Sequence, residues 1–382
     1  MPFYFVIISK GEAFMSSLTI NNLCKSYYGR IFVIHNLNLN VKDGEFLVLL
    51  GSEHSSKSTL LKLIFGLERP TVGEIYIDDK LVNNIPPNNR NVSLILNNNT
   101  LFPNLTVKEN IEYHLSTKST KNTHMRIDTI NIAKILDMTK ILDKKPCELQ
   151  IHEINKVILA RAVINDPGII LIDEAFSSLD PESSKILRDD LAKINKELGK
   201  TIIYATNNSK EAFKLSDNLA IINCGKISQT GHKNDLILSP KTRFISELIF
   251  GNKINMVKAT ICKYNNHFCI DLLGTKLNLP KNMDKSILEK YNNKNILMAI
   301  RAKDIYCNEQ PDFVKSPALI HTKVKSFRGS LKYYSFENSG SNFIFKAQPG
   351  ARFNENEVVD ICFDMDKVLL FDKQTDSNIF IQ

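Results

Sequence analysis

The stretch that most restricts how this chain can fold is ARAVINDPGIILIDEAFSSLD, from Ala160 to Asp180. Ile169, Ile170, Leu171 and Ile172 form a β-prone apolar run, which suits a strand covered on both faces of a parallel sheet. The run ends in Asp173 and Glu174. Carboxylates at the carboxyl end of such a strand lie where open α/β sheets place their ligands. One can hold Mg²⁺ while the other orients or deprotonates an attacking water. The polar loop Ser177, Ser178, Leu179 and Asp180 follows, and Pro181 is suited to open a helix. Read alone, these residues equally suit a buried strand whose acidic end caps the next turn. A phosphate-binding loop upstream separates the two readings.

Such a loop is present in altered form. EFLVLLG, ending at Gly51, reads as another buried strand, followed by GSEHSSKST and the apolar helix LLKLIFGL. The phosphate-loop pattern is G-x-x-x-x-G-K-[ST]. Gly51, Ser52, Glu53, His54 and Ser55 lead to Ser56, which stands where the second glycine belongs, and then to Lys57, Ser58 and Thr59. Backbone N–H groups and a helix N-terminus surround phosphates in an intact loop. Lys57 would reach the β and γ oxygens, and Ser58 would bind Mg²⁺. A β-carbon at position 56 costs roughly 1–2 kcal/mol if the backbone there is left-handed. The plain alternative is a strand-to-helix turn with a lysine in its first helical turn.

The length suits two or three domains. No apolar run approaches the ~18 residues of a membrane span. MPFYFVII at the start is short and lacks a basic leader, so residues 1–15 read as an N-terminal extension rather than a signal peptide. Seven cysteines without a C-x-x-C pair fit a reducing compartment. The eight histidines show no zinc-ligand spacing. A net charge of +8 spread along the chain, with no tryptophan, reads as a solvated surface, and no nucleic-acid partner is expected.

In chain order, residues 17–23 and 31–40 alternate as strands of an antiparallel side sheet, and KSYYGR between them offers Tyr27 or Tyr28 to a purine ring. VSLIL is a buried strand ending at Asn97. Thr106 and Glu109 have capping-box spacing, opening a helical insertion over about residues 102–150. Leu149–Ile164 reads as one amphipathic helix, Pro181–Leu198 as another, TIIYAT as a buried strand ending at Asn207, and Ser239–Phe250 as the last helix of this domain. Beyond residue 250 the pattern becomes short and β-rich.

These landmarks together resemble the ATP-binding subunits of ABC transporters, specifically importer subunits with a carboxy-terminal oligonucleotide-binding-type regulatory domain. KSYYG resembles the adenine-stacking loop, GSEHSSKST the phosphate loop, LFPNLTVKENI the segment after the glutamine loop, and IRAKDI part of the regulatory domain. The resemblance implies an α/β fold: a P-loop NTPase domain over residues 16–250 with the helical insertion, then a small all-β domain of OB (TOBE-like) type over 251–382. It implies ATP and Mg²⁺ as cofactors, with Ser58, Asn97 and Asp173 on the metal side and Glu174 as general base. Asn97 takes the place of the glutamine-loop glutamine, Asn207 that of the γ-phosphate histidine, and Ser177–Asp180 the aspartate loop. Leu149, Gln150, Ile151, His152 and Glu153 occupy the L-S-G-G-Q signature, which faces the other subunit's ATP. Implied partners are transmembrane permease subunits, a second nucleotide-binding subunit and, indirectly, a solute-binding protein, at the cytoplasmic face of the membrane.

The departures converge on one site. Ile151 and His152 put side chains where glycines let the backbone approach a phosphate. Glu153 adds a carboxylate that, ~6 Å from one phosphate charge, repels it by about 3 kcal/mol at an effective dielectric of 20. Asn97 is one methylene shorter than glutamine, and Asn207 cannot become a cation. Residues of one site act as a unit, so the expectation is a nucleotide-binding importer subunit with weakened hydrolysis. The alternative is a non-hydrolysing pseudo-ATPase with a structural or regulatory role.

Overall fold

The computed structural model describes residues 16–27, 29, 31–96, 100–116, 128–176, 179–265, 267–272, 274–307, 317–328, 333–338, 341–347 and 352–381. The expectations for the N-terminal extension, Tyr28, Asn97, Ser177 and Ser178 lie outside the described residues. The chain divides into two compact units, Met1–Lys233 and Asn234–Gln382.

In the first unit β1 (Leu18–Tyr27) and β2 (Ile31–Val41) precede β3 (Phe46–Leu50), α1 (Lys57–Phe65), β4 (Val72–Ile77), β5 (Lys80–Leu81) and β6 (Val92–Leu96). Helices α2 (Val107–Ser116), α3 (Thr129–Ile135) and α4 (Ile151–Val163) lead to β7 (Ile169–Asp173), α5 (Pro181–Leu198), β8 (Thr201–Thr206), α6 (Ser209–Leu215), β9 (Asn218–Asn223) and β10 (Lys226–His232). The side sheet runs β2-β1-β4-β5, and the main sheet runs β10-β9-β3-β8-β7-β6. β3 pairs in parallel with β8 and β9, and β7 in parallel with β6 and β8. Continuous apolar runs explain this placement, because β7 and β8 are buried at every position.

The two sheets share one core through α1. Leu60, Leu61, Leu63 and Ile64 pack with Leu18, Ile20 and Ile75 of the side sheet and with Leu47, Leu49 and Leu171 of the main sheet. Burying each such side chain is worth about 1.5–3 kcal/mol, so the loop before α1 is anchored on both sides. α2 opens with the expected capping box: Thr106 N–H donates to Glu109 at 2.7 Å, and Glu109 N–H donates to Thr106 Oγ1 at 3.2 Å.

The second unit carries α7 (Lys233–Leu238) at its start, then α8 (Arg243–Phe250), β11 (Ile254–Tyr264), β12 (His267–Leu272), β13 (Thr275–Asn278), α9 (Lys285–Lys290), β14 (Asn295–Arg301), β15 (Ile305–Cys307), β16 (Pro317–Arg328), β17 (Tyr333–Asn338), β18 (Ser341–Lys346), β19 (Val358–Asp364) and β20 (Leu369–Asp372). Two five-stranded antiparallel sheets, β13-β12-β11-β14-β20 and β15-β19-β16-β17-β18, enclose one core that includes Ile261, Met298, Phe343 and Phe363. This β-rich unit is of the expected OB type. The helix expected at Ser239–Phe250 begins later, at Arg243, and this α8 is fastened to the chain's end: Arg243 N–H donates to the Asp376 carbonyl at 2.9 Å, and Asn378 Nδ2 to the Pro240 carbonyl at 3.1 Å.

Candidate nucleotide site

β3 delivers the chain to Gly51, where an added Cβ would lie 2.6 Å from the Ile222 carbonyl oxygen, so only glycine fits. After Ser52, Glu53, His54 and Ser55, Ser56 adopts the left-handed region at φ 77° and ψ 21° and serves as the N-cap of α1. The strain expected for a side chain there is therefore present. It has a local offset, since Ser56 Oγ donates to the Val33 carbonyl at 2.8 Å.

Lys57 is 4% exposed. Its Nζ donates to the carbonyls of Gly51 (3.1 Å) and Ser52 (2.8 Å) and lies 3.2 Å from Glu174 Oε1. Ser58 Oγ donates to Asp173 Oδ1 at 2.9 Å. Burial pushes the Asp173 carboxyl above the ordinary aspartate value, against the opposing pull of the Ser58 hydrogen bond. Glu174 has φ 48° and donates its N–H to the Ala205 carbonyl at 3.1 Å, so its left-handed backbone is held by β8. The fold thus brings Gly51–Ser58, Asp173 and Glu174 to one end of the main sheet. A hydroxyl and a carboxylate in contact are hard oxygen donors of the kind Mg²⁺ takes, and the buried carboxylate is one that a cation would neutralise. The residues present fit the metal and the phosphates beside it.

Asn207 follows β8 at the same end of the sheet, since Ala205 is the register partner of Asp173. Its loop is held by residues that the sequence reading passed over. Tyr204 OH and Thr206 Oγ1 donate to the two oxygens of Glu211, each at 2.7 Å. Asn208 N–H donates to Thr206 Oγ1 at 3.1 Å, and Asn208 Oδ1 caps α6. The available signal was polar-tipped side chains at alternate positions of TIIYAT with an acid one helical turn beyond.

Tyr27 is tied to the segment that follows α1. Its hydroxyl donates to Glu68 Oε2 at 2.6 Å, and burial together with Glu68 raises its pKa above the ordinary tyrosine value. Asp180 is the N-cap of α5, accepting from Glu182 N (2.9 Å) and Ser183 N (3.0 Å). The Ser183 side chain, with the backbone N–H groups of Ser183 and Glu182, holds its carboxyl below the usual range.

Leu149–Glu153 stand at the start of α4, a separate element. Gln150 is the N-cap, Ile151 is 63% exposed, and Glu153 Oε2 accepts the Gln150 N–H at 2.8 Å. His152 and Glu153 line a cleft of about 310 Å³ with Asp137, Lys140 and Lys156. Glu153 is therefore more than an added charge, because it closes the first turn of its own helix.

A family model described as "ABC transporter" matches residues 34–177. The sn-glycerol-3-phosphate import ATP-binding protein UgpC of Bartonella bacilliformis is 32% identical over 82% of this chain and 85% of its own length. The chain belongs to the ATP-binding subunits of ABC importers. The trehalose/maltose import ATP-binding protein MalK of Thermococcus litoralis is 30% identical over 92% of this chain and 97% of its own length. The UgpC of Psychromonas ingrahamii is 28% identical over 96% of each chain. These long alignments include the β-rich second unit of this ABC subunit. Among the described residues no helix is long and apolar enough to cross a membrane.

Proposed function

We propose that this ABC subunit binds ATP with Mg²⁺ at the cytoplasmic face of the membrane and couples it to solute import with weakened hydrolysis. Its partners are transmembrane permease subunits, served by a solute-binding protein, and a second nucleotide-binding subunit, identical or related. The loop Gly51–Ser56 and Lys57 would hold the phosphates, and Ser58 with Asp173 would hold the metal, which supplies charge neutralisation for phosphoryl transfer. Glu174 would orient and deprotonate the attacking water, and Tyr27 would face the base. Asn207 can donate a hydrogen bond to the γ-phosphate but brings no positive charge. Leu149–Glu153 would face the partner's ATP.

The observation that carries this reading is the arrangement at the strand ends. Ser58 meets Asp173 at 2.9 Å and Lys57 meets Glu174 at 3.2 Å, while Glu153 occupies the first turn of α4. The nucleotide half is assembled and the trans-acting half is altered. This favours slow turnover over lost binding.

The test is ATP binding and turnover of the purified chain with its permease partners, beside Glu174→Gln. Slow ATPase activity that vanishes in the variant, with binding retained, supports the proposal. Transport equal in both supports the pseudo-ATPase alternative. Failure of the wild-type chain to bind ATP at millimolar concentration, with its permease partners present, overturns the nucleotide-driven reading.

A further inference from the structure

The second unit contains a thiol pair that the nucleotide chemistry does not use. Cys262 on β11 and Cys269 on β12 are direct register partners. Their sulfurs lie 2.7 Å apart, against ~2.04 Å in a formed disulfide. Directly opposed residues of antiparallel strands have Cα atoms about 4.5–5.5 Å apart, inside the range a disulfide bridges. The neighbouring pair Ile261 and Ile270 points into the hydrophobic core, so alternation turns the cysteines to the opposite face. Two cysteines that merely filled core volume would occupy the isoleucine positions. Exposure divides the pair, since Cys262 is partly exposed and Cys269 is buried.

We propose that Cys262 and Cys269 form a reversible dithiol–disulfide site that reacts with small disulfides such as glutathione disulfide. The Cys262 thiolate attacks one sulfur of the oxidant, forming a mixed disulfide and releasing one glutathione thiolate. Cys269 then attacks the Cys262 sulfur, its proton passes to the second departing glutathione, and the cross-strand disulfide closes. Two protein thiols are oxidised and one glutathione disulfide is reduced to two glutathiones. The order follows from accessibility, and burial together with the contact to Cys262 pushes the Cys269 thiol up to about 12. A protonated, buried thiol is a poor first nucleophile and is placed to resolve a mixed disulfide formed beside it. Lys276 lies on the same face, its Nζ 4.0 Å from the Tyr264 ring centroid, and its charge favours the Cys269 thiolate.

The test uses the reduced full-length chain, incubated with excess glutathione disulfide, alkylated in denaturant and cut with trypsin without reductant. Cleavage after Lys258, Lys263 and Lys276 places the cysteines on the separate peptides ATICK and YNNHFCIDLLGTK. The expected product is these two peptides joined, two hydrogens lighter than their sum, and separated by dithiothreitol. Exposed Cys147 and Cys224 report whether the oxidant was active. In Cys269→Ser, Cys262 should instead retain glutathione. The proposal is overturned if Cys147 and Cys224 carry glutathione in the wild-type chain while Cys262 and Cys269 are both alkylated. It is equally overturned if Cys262 there retains glutathione instead of closing on Cys269.

Discussion

Replacing Ser56 tests whether the altered phosphate loop is a lesion or a compensated exchange. The left-handed backbone at φ 77° costs a serine about 1–2 kcal/mol relative to glycine. The 2.8 Å hydrogen bond from Ser56 Oγ to the Val33 carbonyl returns about 1 kcal/mol. A glycine would also lose about 0.5–1 kcal/mol through the greater freedom of the unfolded chain. Ser56→Gly should therefore leave stability within about 1 kcal/mol of wild type. Ser56→Ala keeps the strain and loses the hydrogen bond, so it should be about 1 kcal/mol less stable than wild type. For a unit of this size that difference is about 2–4 °C in midpoint temperature, measurable by calorimetry as the first unit's transition. ATP affinity should be at least as high in Ser56→Gly as in wild type. An alanine variant as stable as wild type would refute the compensation. So would a glycine variant stabilised by more than ~2 kcal/mol, the full relief of the strain with nothing lost.

Three further outcomes follow from the site. Glu174→Gln should abolish ATP turnover in the assembled transporter while retaining bound nucleotide, read by single-turnover hydrolysis and filter binding. Asp173 is held above the ordinary aspartate value by burial, so acidification through the interval between that value and its folded one protonates the folded site first. In that interval this group adds stability as pH falls, whereas Mg²⁺-dependent ATP affinity should fall. Titration calorimetry across pH should show that fall, with the slope flattened in Asp173→Asn. Glu211→Ala leaves the fully buried Tyr204 hydroxyl and the Thr206 hydroxyl without their shared acceptor, costing about 1–3 kcal/mol. It should also slow any turnover by loosening the loop that carries Asn207, with the melting midpoint as its structural control.

The fold was legible where one side-chain property decided it. Ile169–Ile172 are apolar without interruption and TIIYAT is β-branched or aromatic at all but one position, and both became strands buried at every position. What holds α8 was not legible, because the amphipathic pattern of Arg243–Phe250 says that one face is covered and not by what. Its partners stand more than a hundred residues away, at Asp376 and Asn378. The site shows the same division. Lys57, Ser58, Asp173 and Glu174 were readable from spacing. The bond from Ser56 to Val33 and the clasp of Glu211 on Tyr204 and Thr206 depend on strand register and on where a helix sets its first turn. No local pattern reports those.

Glu153 was legible as a charge but not as a cap, and the difference decides what its replacement should do. The same device closes neighbouring starts: Thr106 and Lys145 donate their N–H groups to Glu109 (2.7 Å) and Glu148 (2.8 Å), as Gln150 does to Glu153 (2.8 Å). A carboxylate in a first turn stabilises its helix by about 0.3–1 kcal/mol. At α4 that gain is set against the partner subunit's triphosphate, where the proposed role of residues 149–153 implies a repulsion of about 3 kcal/mol at ~6 Å. Glu153→Gln keeps an oxygen acceptor for the Gln150 N–H and removes the charge, so the helix should lose less than about 1 kcal/mol. ATP-driven pairing should strengthen by up to about 100-fold for each Glu153–triphosphate contact relieved, the equivalent of that repulsion. Sedimentation of Glu174→Gln with and without the second substitution, in Mg·ATP, isolates pairing from hydrolysis. If the double variant melts like its parent and pairs no more tightly, the carboxylate is not what holds the two subunits' nucleotide faces apart. The side chains of Ile151, which is exposed, and His152 would then be the remaining obstacles, and Ile151→Gly with His152→Gly the substitutions that restore pairing.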